Sequence, residues 1–397
     1  METIHFDARF IRLDYHDGIS RFSVELIKAL SKKHKVVAVV YDQKQLEFLP
    51  KGIEHLVVNS PQSVKELFVA KKLNKAGARL VFSPMQIMGS LGRKYKLVLT
   101  LHDLIYYRHR KPPQDLSPLI QTIWRLYHLS YFPQRLLLNR ADRIVTVSET
   151  TKNLIQKHRL TRKPVEIVYN GVAEVSRQSR TIPETRSLVY VGSFMPYKNV
   201  ETLVRAAGLE PSYTLHLLSK ITPTRESELQ KLADSVSANV VFHRGVSDDE
   251  YQKLLDEAFA AVSASKDEGF GIPLVEAMAR GIPVVVSNLE IFREVAGPAG
   301  TYFNPDSPEA AVEALQSITN PASWKTKSAA SYERASVFNW DKSAEKLAEK
   351  NPDKVMQGKL YAAAHEIKSQ NLLGQDYAKF TANLTADADK VRSGRTV

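Results

Sequence analysis

The sequence of 397 residues contains no cysteine. Disulfide bonds, thiolate catalysis and cysteine-ligated zinc are therefore excluded, which fits a reducing compartment. The sequence also lacks any run of about 18 apolar residues, so it predicts no membrane-spanning helix. Its first residues, METIHFDARF, lack the basic segment and the following apolar segment of a signal peptide. We therefore expect a cytoplasmic protein.

Basic residues outnumber acidic ones. Lysine and arginine together number 55, and aspartate and glutamate 43, which gives a formal net charge of +12. This charge favours anionic partners such as nucleotides, nucleic acid or acidic lipid, although a need for solubility explains it equally well. Because the sequence has no helix-turn-helix, RNP-like or zinc pattern, we expect no nucleic-acid partner.

Short apolar runs alternate with helical segments along most of the chain. The run KVVAVVYD is typical of a strand buried on both faces, and Phe22, Leu26, Ile27 and Leu30 share one face of a predicted helix. The alternation stops at a polar stretch, 173–186, which we interpret as a linker, and it restarts at SLVYVGSF. Two separate blocks of strands and helices are thus predicted.

The two blocks predict an α/β protein with two Rossmann-like domains, each a doubly wound parallel sheet, facing across a cleft. The N-terminal domain is expected at 1–176 and the C-terminal domain at 184–349. Ligands of such sheets bind at the carboxyl ends of the strands. Residues 350–397 are expected to form a helical and polar extension, which an Asn-Pro pair separates from the preceding helix.

The stretch ASKDEGFGIPLVEAMARGIPVVVS carries the most specific pattern. Glu268 and Glu276 stand on either side of a Gly-Phe-Gly turn, and Pro273 predicts that a helix begins between them. The glycines allow the backbone to approach a ligand closely, and a helix N-terminus binds anions. Carboxylates accept hydrogen bonds from vicinal hydroxyls. The pattern therefore favours a nucleotide-sugar site, although a glutamate on a solvated helix face is the common alternative.

This stretch resembles the signature of the retaining glycosyltransferases of family 4, which have the GT-B fold. Other segments are similar to further blocks of that family, in the family's order and over about residues 1–350. They are DGISRF (17–22), LTLHDL (100–105), ADRIVTVSE (141–149), VYNGV (168–172), YVGSFMPYKNVETLVRA (190–206) and FHRGVSDDEY (242–251). The resemblance implies a GT-B glycosyltransferase.

The resemblance also implies roles for the residues around the turn. Glu268 would lie beside the donor sugar, and Glu276 would bind the ribose of the nucleotide. The backbone N–H groups of Gly269, Phe270 and Gly271 would hold sugar hydroxyls or the phosphate.

A second set of residues would bind the diphosphate. Lys198 matches the family lysine that neutralises the leaving group, and Gly192 and Ser193 end the strand before it. Many members carry an arginine where Ser193 stands, so the second phosphate-binding cation is open. The candidates for this cation are Arg21, Arg244 and Lys220. For the two arginines, the alternative role is an ion pair on the surface or between the domains.

The N-terminal half would contribute residues to the same cleft. The backbone of Gly18 and Ile19 would face the diphosphate, unless these residues form an ordinary β–α turn. His102 ends a predicted strand and would contact the donor sugar, whereas a lone histidine at a strand end is otherwise more often structural. Asp103 is expected to cap the next segment.

The resemblance implies transfer with retention, without an enzyme nucleophile, a metal ion or a cofactor other than the nucleotide sugar as co-substrate. The segments HDLIYY and GSFMPYKN favour GDP-mannose as donor, and a glycan or lipid-linked hydroxyl is expected as acceptor. Alternatives are a UDP-sugar-dependent transferase for glucose, galactose or N-acetylhexosamine, a nucleotide-sugar epimerase and a non-catalytic family member.

The stretch 106–140 is rich in aromatic and basic residues, as in YYRHRKPP and IWRLYHLSYFPQRLLLNR. This combination suits peripheral contact with an anionic membrane surface. A helix that simply packs on the N-terminal domain is the alternative.

Overall fold

The computed structural model describes residues 3–13, 17–112, 117–173 and 180–349. The predicted linker is therefore described only in part. The predicted Asn-Pro helix break and the helical extension at 350–397 lie outside the described residues. Among the described residues, no helix combines the length and the apolar character needed to cross a bilayer.

The first half of the chain forms a parallel sheet, in which seven strands fall within the described residues. Its spatial order is β3-β2-β1-β4-β5-β6-β7. The strands are β1 (Ile4–Asp7), β2 (Val36–Val40), β3 (Glu54–Val57), β4 (Leu80–Ser83), β5 (Lys96–Leu101), β6 (Arg143–Thr146) and β7 (Val165–Ile167). Every residue of β1 and β2 is buried, as expected for strands covered on both faces.

Helices cover both faces of this sheet. They are α1 (Gly18–Ser31), α2 (Val69–Lys75), α3 (Ile105–Arg108), α4 (Pro118–Tyr127), α5 (Phe132–Leu138) and α6 (Glu149–Lys157). Because β–α–β crossovers are right-handed, the reversal of strand order at β1 places α1 on one face and the helices after β3 on the other. Val69 of α2, Leu138 of α5 and Ile155 of α6 accordingly share one buried cluster.

The second half forms another parallel sheet, with six strands among the described residues in the order β10-β9-β8-β11-β12-β13. The strands are β8 (Ser187–Tyr190), β9 (Thr214–Leu217), β10 (Val240–Phe242), β11 (Ala260–Ser263), β12 (Val284–Ser287) and β13 (Gly300–Phe303). The order reverses between β8 and β11, and a crevice for ligands is expected at their carboxyl ends.

The helices of the second half surround this sheet. They are α7 (Val200–Leu209), α8 (Pro223–Ser235), α9 (Asp248–Asp256), α10 (Ile272–Ala279), α11 (Glu290–Ala296), α12 (Pro308–Gln316), α13 (Pro321–Ala335) and α14 (Trp340–Ala348). Trp324 of α13 is fully buried, and its Nε1 donates a hydrogen bond of 2.9 Å to the carbonyl of Phe259. This bond ties α13 to the start of β11.

The beginning of α14 packs on the first half of the chain. The rings of Trp340 and Phe22 are 5.9 Å apart, and the Lys32 ammonium lies 2.8 Å from the Asp341 carboxylate. A Cβ atom added to Gly171 would lie 2.6 Å from the backbone nitrogen of Trp340, so this close approach requires glycine. The chain thus returns from the second sheet to the first.

The predicted fold class is confirmed. Both blocks form parallel sheets, and all the predicted strands are present. The predicted start of α10 at Ile272 is also confirmed, with proline in the first turn. The domain boundaries at 176, 184 and 349 stay predictions.

Candidate active site

Helix α10 begins at the carboxyl end of β11, where its first turn faces the cleft region. Gly271 precedes the helix with a φ of +91°, a left-handed conformation that strongly favours glycine. Pro273 stands in the first turn, where its missing N–H would have no intrahelical partner anyway. This local sequence leaves backbone N–H groups pointing out of the helix, which makes the turn suitable for an anion or a hydroxyl.

Glu268 lies just before this turn and forms an ion pair with Lys198. Its other oxygen accepts a hydrogen bond of 3.1 Å from the backbone nitrogen of Gly269. Lys198 is held by its neighbour Asn199, whose side-chain amide donates to the carbonyls of Ala264, at 3.1 Å, and Pro305, at 2.7 Å. The turn that carries the lysine is therefore fastened to the end of β11, and the lysine and the glutamate are kept together.

Glu276 has two partners. One carboxylate oxygen pairs with the guanidinium of Arg21, and the other accepts a hydrogen bond of 2.8 Å from the hydroxyl of Tyr251 on α9. Burial by itself would lower the pKa of Arg21, but the charge and hydrogen bond of Glu276, together with the nearby Tyr251 and Asp248, outweigh burial and raise the pKa. Burial raises the pKa of the Tyr251 hydroxyl well above its usual value, so this group stays a neutral donor.

His102 lies just after β5, close to the same region. Its Nε2 is 2.8 Å from the carbonyl oxygen of Pro84, and its ring is 5.1 Å from that of Phe22. Burial lowers the pKa of His102, which favours the neutral ring. Because a carbonyl oxygen can only accept, Nε2 donates, and Nδ1 of the neutral ring is left as an acceptor.

Asp103 begins the next turn, as predicted. Its Oδ1 accepts a hydrogen bond of 2.9 Å from the backbone nitrogen of Ile105, the first residue of α3. A Cβ atom added to Gly269 would lie 3.1 Å from Asp103 Oδ2, so the glycine turn of the second half closely approaches this residue of the first half. Burial raises the pKa of Asp103.

Further contacts join the two halves beside Glu268. Asp267 pairs with Arg108 at 2.6 Å and lies 3.3 Å from Nε2 of His109. The His109 ring is 5.1 Å from that of Tyr197, next to Lys198. The end of α3 and the residue after it thus contact Asp267 and Tyr197, the residues just before Glu268 and Lys198.

A carboxylate of the second half also caps a helix of the first half. Glu294 of α11 accepts hydrogen bonds from the backbone nitrogens of Glu149, at 2.6 Å, and Thr150, at 2.8 Å. These are the first N–H groups of α6, where the helix dipole favours a negative charge. The contact stabilises the approach of the two halves near the site.

The remaining predicted residues have different surroundings. Arg244 pairs with Glu226 at 2.6 Å on the exposed surface. The nitrogen of Gly192 donates to the hydroxyl of Ser219 at 3.0 Å, and the carbonyl of Ser193 accepts from Tyr190. The structure therefore brings Arg21 to Glu276 but pairs Arg244 elsewhere.

Gly18 and Ile19 begin α1, and Gly18 lies near the start of α10. A Cβ atom added to Gly18 would be 3.7 Å from the Ile272 side chain. The carbonyl of Ile19 accepts a hydrogen bond of 2.8 Å from the Ser23 hydroxyl. The start of α1 and the start of α10 thus approach each other, and the contact of Gly18 and Ile19 with the diphosphate stays a prediction.

Two cavities bear on the location of a ligand. One of about 30 Å³ lies beside Glu268, Gly271 and Pro273. A larger and more open one, about 600 Å³, lies at the amino end of β5 and is lined by Arg93 and Lys94 among others. We place the candidate site at the smaller cavity, because ligands of parallel sheets bind at the carboxyl ends of strands.

Sequence reasoning missed several residues of this region. Tyr251 lies in the segment FHRGVSDDEY, which resembles a block of the family, but nothing in the sequence indicated a bond to Glu276. Arg108, Asp267 and Glu294 carried no signal, because their partners lie more than a hundred residues away.

Two sequence models of known families match the chain. The model described as Glycosyltransferase Family 4 matches residues 16–174, and the model described as Glycosyl transferases group 1 matches residues 172–334. The chain belongs to family 4 of the glycosyltransferases. This glycosyltransferase has the two sheets of the GT-B fold, so the predicted family and enzyme class are confirmed.

Curated relatives of this glycosyltransferase include mannosyltransferases. The O-antigen chain mannosyltransferase RfbU of Salmonella typhimurium is 28% identical over 312 residues, which cover 76% of this chain and 87% of that protein. The O-antigen chain mannosyltransferase B of Escherichia coli is 29% identical over 52% of this chain and 54% of its own length. The GDP-mannose:cellobiosyl-diphosphopolyprenol alpha-mannosyltransferase of Xanthomonas oryzae pv. oryzae is 27% identical over 55% of this chain and 58% of its own length. The matches thus span most of the first relative and about half of the other two.

Solved structures share the fold. Sucrose-phosphate synthase from Thermosynechococcus elongatus superposes with a TM-score of 0.68 at 19% identity, covering 91% of this chain and 100% of that one. Anabaena Alr3699/HepE in complex with UDP and glucose gives a TM-score of 0.66 at 19% identity, covering 88% of this chain and 98% of that one. At these identities the likeness establishes the fold.

Proposed function

We propose that this glycosyltransferase transfers mannose from GDP-mannose, with retention, to a hydroxyl of a glycan or lipid-linked acceptor in the synthesis of a cell-envelope glycan. The names of the relatives support the sugar, the base and the class of acceptor. The resemblance of HDLIYY and GSFMPYKN to mannosyltransferase segments points the same way.

The observation that carries this proposal is the pairing of two carboxylates with two cations at the start of α10. Glu268 pairs with Lys198, and Glu276 pairs with Arg21. A nucleotide sugar presents hydroxyls at both ends and two phosphates between them. Its hydroxyls suit the carboxylates, and its phosphates suit the cations and the free N–H groups of the helix.

In the proposed donor complex the two ion pairs are exchanged for contacts with the donor. The ribose hydroxyls donate to Glu276, and Arg21 turns from that carboxylate to the diphosphate. Arg21 then supplies the positive charge that many family members obtain from an arginine at the position of Ser193. This assignment accounts for the departure from the family pattern without requiring Arg244, which pairs with Glu226.

Lys198 neutralises the other part of the diphosphate. Negative charge on the leaving group increases as the glycosidic bond breaks, so a fixed cation stabilises the transition state more than the bound donor. Glu268, released from the lysine, accepts hydrogen bonds from the hexose. The N–H groups of Gly269, Phe270 and Gly271 hold sugar hydroxyls or phosphate oxygens.

The acceptor oxygen bonds to the anomeric carbon on the face from which the diphosphate leaves. The bond between that carbon and the phosphate oxygen breaks, and the leaving phosphate oxygen takes the proton of the acceptor hydroxyl. Retention follows because attack and departure share one face, and no enzyme nucleophile is needed. His102 offers Nδ1 as an acceptor to a sugar hydroxyl, and Glu268 positions and stabilises the sugar.

No cofactor or metal ion is part of this proposal. Among the described residues, no group of three or more His, Asp or Glu side chains is placed to hold a metal ion. The charge of the diphosphate is instead assigned to Lys198, Arg21 and the helix N-terminus. Unchanged transfer after treatment with EDTA is the expected result, and loss of activity that magnesium restores would contradict the metal-free mechanism.

The first experiment is thermal stabilisation of the purified protein by a panel of nucleotides and nucleotide sugars. A selective increase in Tm with GDP and GDP-mannose supports the proposal. An increase with UDP species alone would shift the function to transfer of glucose, galactose or N-acetylhexosamine. No increase with any nucleotide would favour a non-catalytic family member.

Transfer is then measured with GDP-mannose and mannose-containing glycan or polyprenyl-diphosphate acceptors. An α-linked product by NMR supports retention, because the donor is itself α-linked. Interconversion of the nucleotide sugar without an acceptor would instead indicate an epimerase. Lys198→Ala should reduce kcat by about 10²–10³-fold, and Lys231→Ala, at an exposed position of α8, is the matched control.

A further inference from the structure

Helix α4 is amphipathic, but its apolar side faces solvent. Leu119, Ile123 and Leu126 follow one another at i, i+4 and i+7 and are 71%, 57% and 61% exposed. The opposite side of the helix packs on the protein, where the ring of His128, the residue after α4, is 4.9 Å from that of Tyr107. Trp124 also contacts Tyr106 at 5.1 Å. This is the reverse of a normal surface helix, which buries its apolar stripe.

Three more exposed apolar residues follow α4 in the chain. Leu129, Phe132 and Leu136 are 59%, 68% and 51% exposed. Single exposed apolar residues are common on soluble proteins, but a close series of them along one segment indicates an interaction surface. We call the six residues from Leu119 to Leu136 the apolar ridge.

The charged residues of the stretch that carries the apolar ridge are all basic. Residues 116–141 contain no aspartate or glutamate. Arg125 and Arg140 in this stretch are exposed, as are Arg110 and Lys111 just before it. A protein partner would have to be both apolar and acidic to match this surface, whereas an anionic lipid bilayer offers both properties at its interface.

A second group of exposed apolar residues lies among the helices on the same face of the first sheet. Val64, Leu67 and Phe68, just before α2, are 85%, 63% and 52% exposed, and the neighbouring Lys65 and Lys71 are exposed as well. Helices α2 and α5 pack on the same face of the first sheet, where they share one buried cluster. The layer therefore presents apolar and basic side chains at two places.

We propose that the apolar ridge docks this protein on a bilayer that contains anionic phospholipids. The leucine, isoleucine and phenylalanine side chains enter the boundary between headgroups and acyl chains, and the arginines pair with lipid phosphates. Docking removes the apolar side chains of the ridge from water and buries them in lipid. The net positive charge of the protein attracts it to the anionic bilayer.

The docked surface is close to the candidate active site. Arg108, the last residue of α3, and His109, which follows it, contact Asp267, the residue before Glu268. A lipid-linked acceptor embedded in the same bilayer could therefore reach the cleft without leaving the membrane. This last point rests on the proposed function, whereas docking itself does not.

Co-sedimentation of the full chain with vesicles tests docking directly. We expect binding to vesicles of phosphatidylglycerol and phosphatidylethanolamine at low salt, and much weaker binding to phosphatidylcholine vesicles or at high salt. The double variant Leu119→Glu/Ile123→Glu should bind at least about tenfold more weakly, because two apolar side chains that enter the lipid become charged. Both positions are exposed, so folding should not change.

Two matched controls lie on α7 of the second half. Leu209→Glu changes an exposed leucine, and Arg205→Glu reverses an exposed charge. Both should bind vesicles like the unsubstituted protein, whereas Arg125→Glu should bind more weakly. Equal vesicle binding by the ridge variants and the unsubstituted protein, or no binding at all, would overturn the proposal.

Two further measurements distinguish lipid docking from self-association and from a loss of catalysis. If sedimentation velocity shows a dimer that the double variant abolishes, the ridge binds a second copy, and the lipid proposal fails. Transfer from GDP-mannose to a water-soluble acceptor without vesicles tests the enzyme alone. The double variant should retain that activity, so failure of docking and failure of the proposed function can be told apart.

Discussion

Arg21 and Glu276 lie 255 positions apart in the sequence and form an ion pair between α1 of the first half and α10 of the second. The hydroxyl of Tyr251 satisfies the other oxygen of the same carboxylate. Two of the groups expected to bind the donor, Arg21 and Glu276, thus contact each other. The ion pair joins the two halves at the candidate site, and under the proposed function the donor would replace it.

Glu276→Ala should weaken nucleotide binding by at least about tenfold, or ~1.4 kcal/mol. The reason is that the ribose hydroxyls lose their charged acceptor. Isothermal titration with GDP measures the change. Glu290→Ala, at an exposed position on α11, is the matched control. An unchanged Kd for Glu276→Ala would remove Glu276 from the binding site.

Glu268→Ala should reduce kcat by about 10²–10³-fold while the Kd of GDP changes little. The carboxylate is assigned to the hexose, which GDP lacks, so only the reaction with the complete donor should suffer. Steady-state kinetics and titration with GDP together measure this difference. Glu313→Ala, at an exposed position on α12, is the control. Activity close to that of the unsubstituted protein would contradict the assigned role.

Arg21→Gln should reduce kcat/KM by about 10²-fold, because one of the cations that stabilise the leaving diphosphate is removed. Arg244→Gln should leave kcat/KM within about twofold of the unsubstituted value, a change below 1 kcal/mol. Arg244 forms an exposed ion pair with Glu226, so its loss should matter little. The reverse order of effects in steady-state kinetics would assign the second cation to Arg244.

Stability should decrease as the pH falls below about 6.5, the usual pKa of histidine. Burial lowers the pKa of His102, so below that pH the unfolded chain binds a proton that the folded protein resists. The unfolded state then binds more protons, and the free energy of unfolding falls with pH.

Urea unfolding between pH 7.5 and 5.5 measures this slope. His102→Gln should make the slope shallower, because one group that titrates differently in the two states is removed. His128 should contribute in the same direction, since burial lowers its pKa too. His55→Gln, at an exposed position, serves as the control. A slope for His102→Gln equal to that of the unsubstituted protein would show that the folded state does not resist protonation there.

Trp340→Ala should reduce the free energy of unfolding by about 3–5 kcal/mol. Trp340 is only 8% exposed and packs on Phe22 and Gly171 of the first half. Val337→Ala, at a 43% exposed position just before it, should cost less than about 1 kcal/mol. Chemical denaturation compares the two. Similar small losses would show that the return of the chain at α14 contributes little to stability.

The strands, most helices and the start of α10 could be predicted from the sequence. Runs such as KVVAVV and the repeat of Phe22, Leu26 and Leu30 record which faces are buried, and this periodicity is a local property. Gly271 and Pro273 likewise specify where the helix begins, because their backbone preferences act on their own positions. The family and its fold followed from the order of several such local segments.

The partners of the site residues could not be predicted in this way. Lys198 was expected to bind the diphosphate, and nothing in the sequence indicated that it pairs with Glu268. Arg21 and Arg244 were equal candidates, and only the packing of α1 against α10 distinguishes them. The exposure of the apolar stripe of α4 was equally unpredictable, because the sequence pattern of such a stripe is the same whether it faces a core or solvent.

The sequence by itself therefore determined the elements, their order and the family of this protein. The tertiary structure decided which charges meet, which side of α4 is exposed and where the chain returns through α14. The physical reason is that backbone preference and periodic burial act over a few residues. Ion pairs and surface exposure instead depend on which distant segments the sheets bring together.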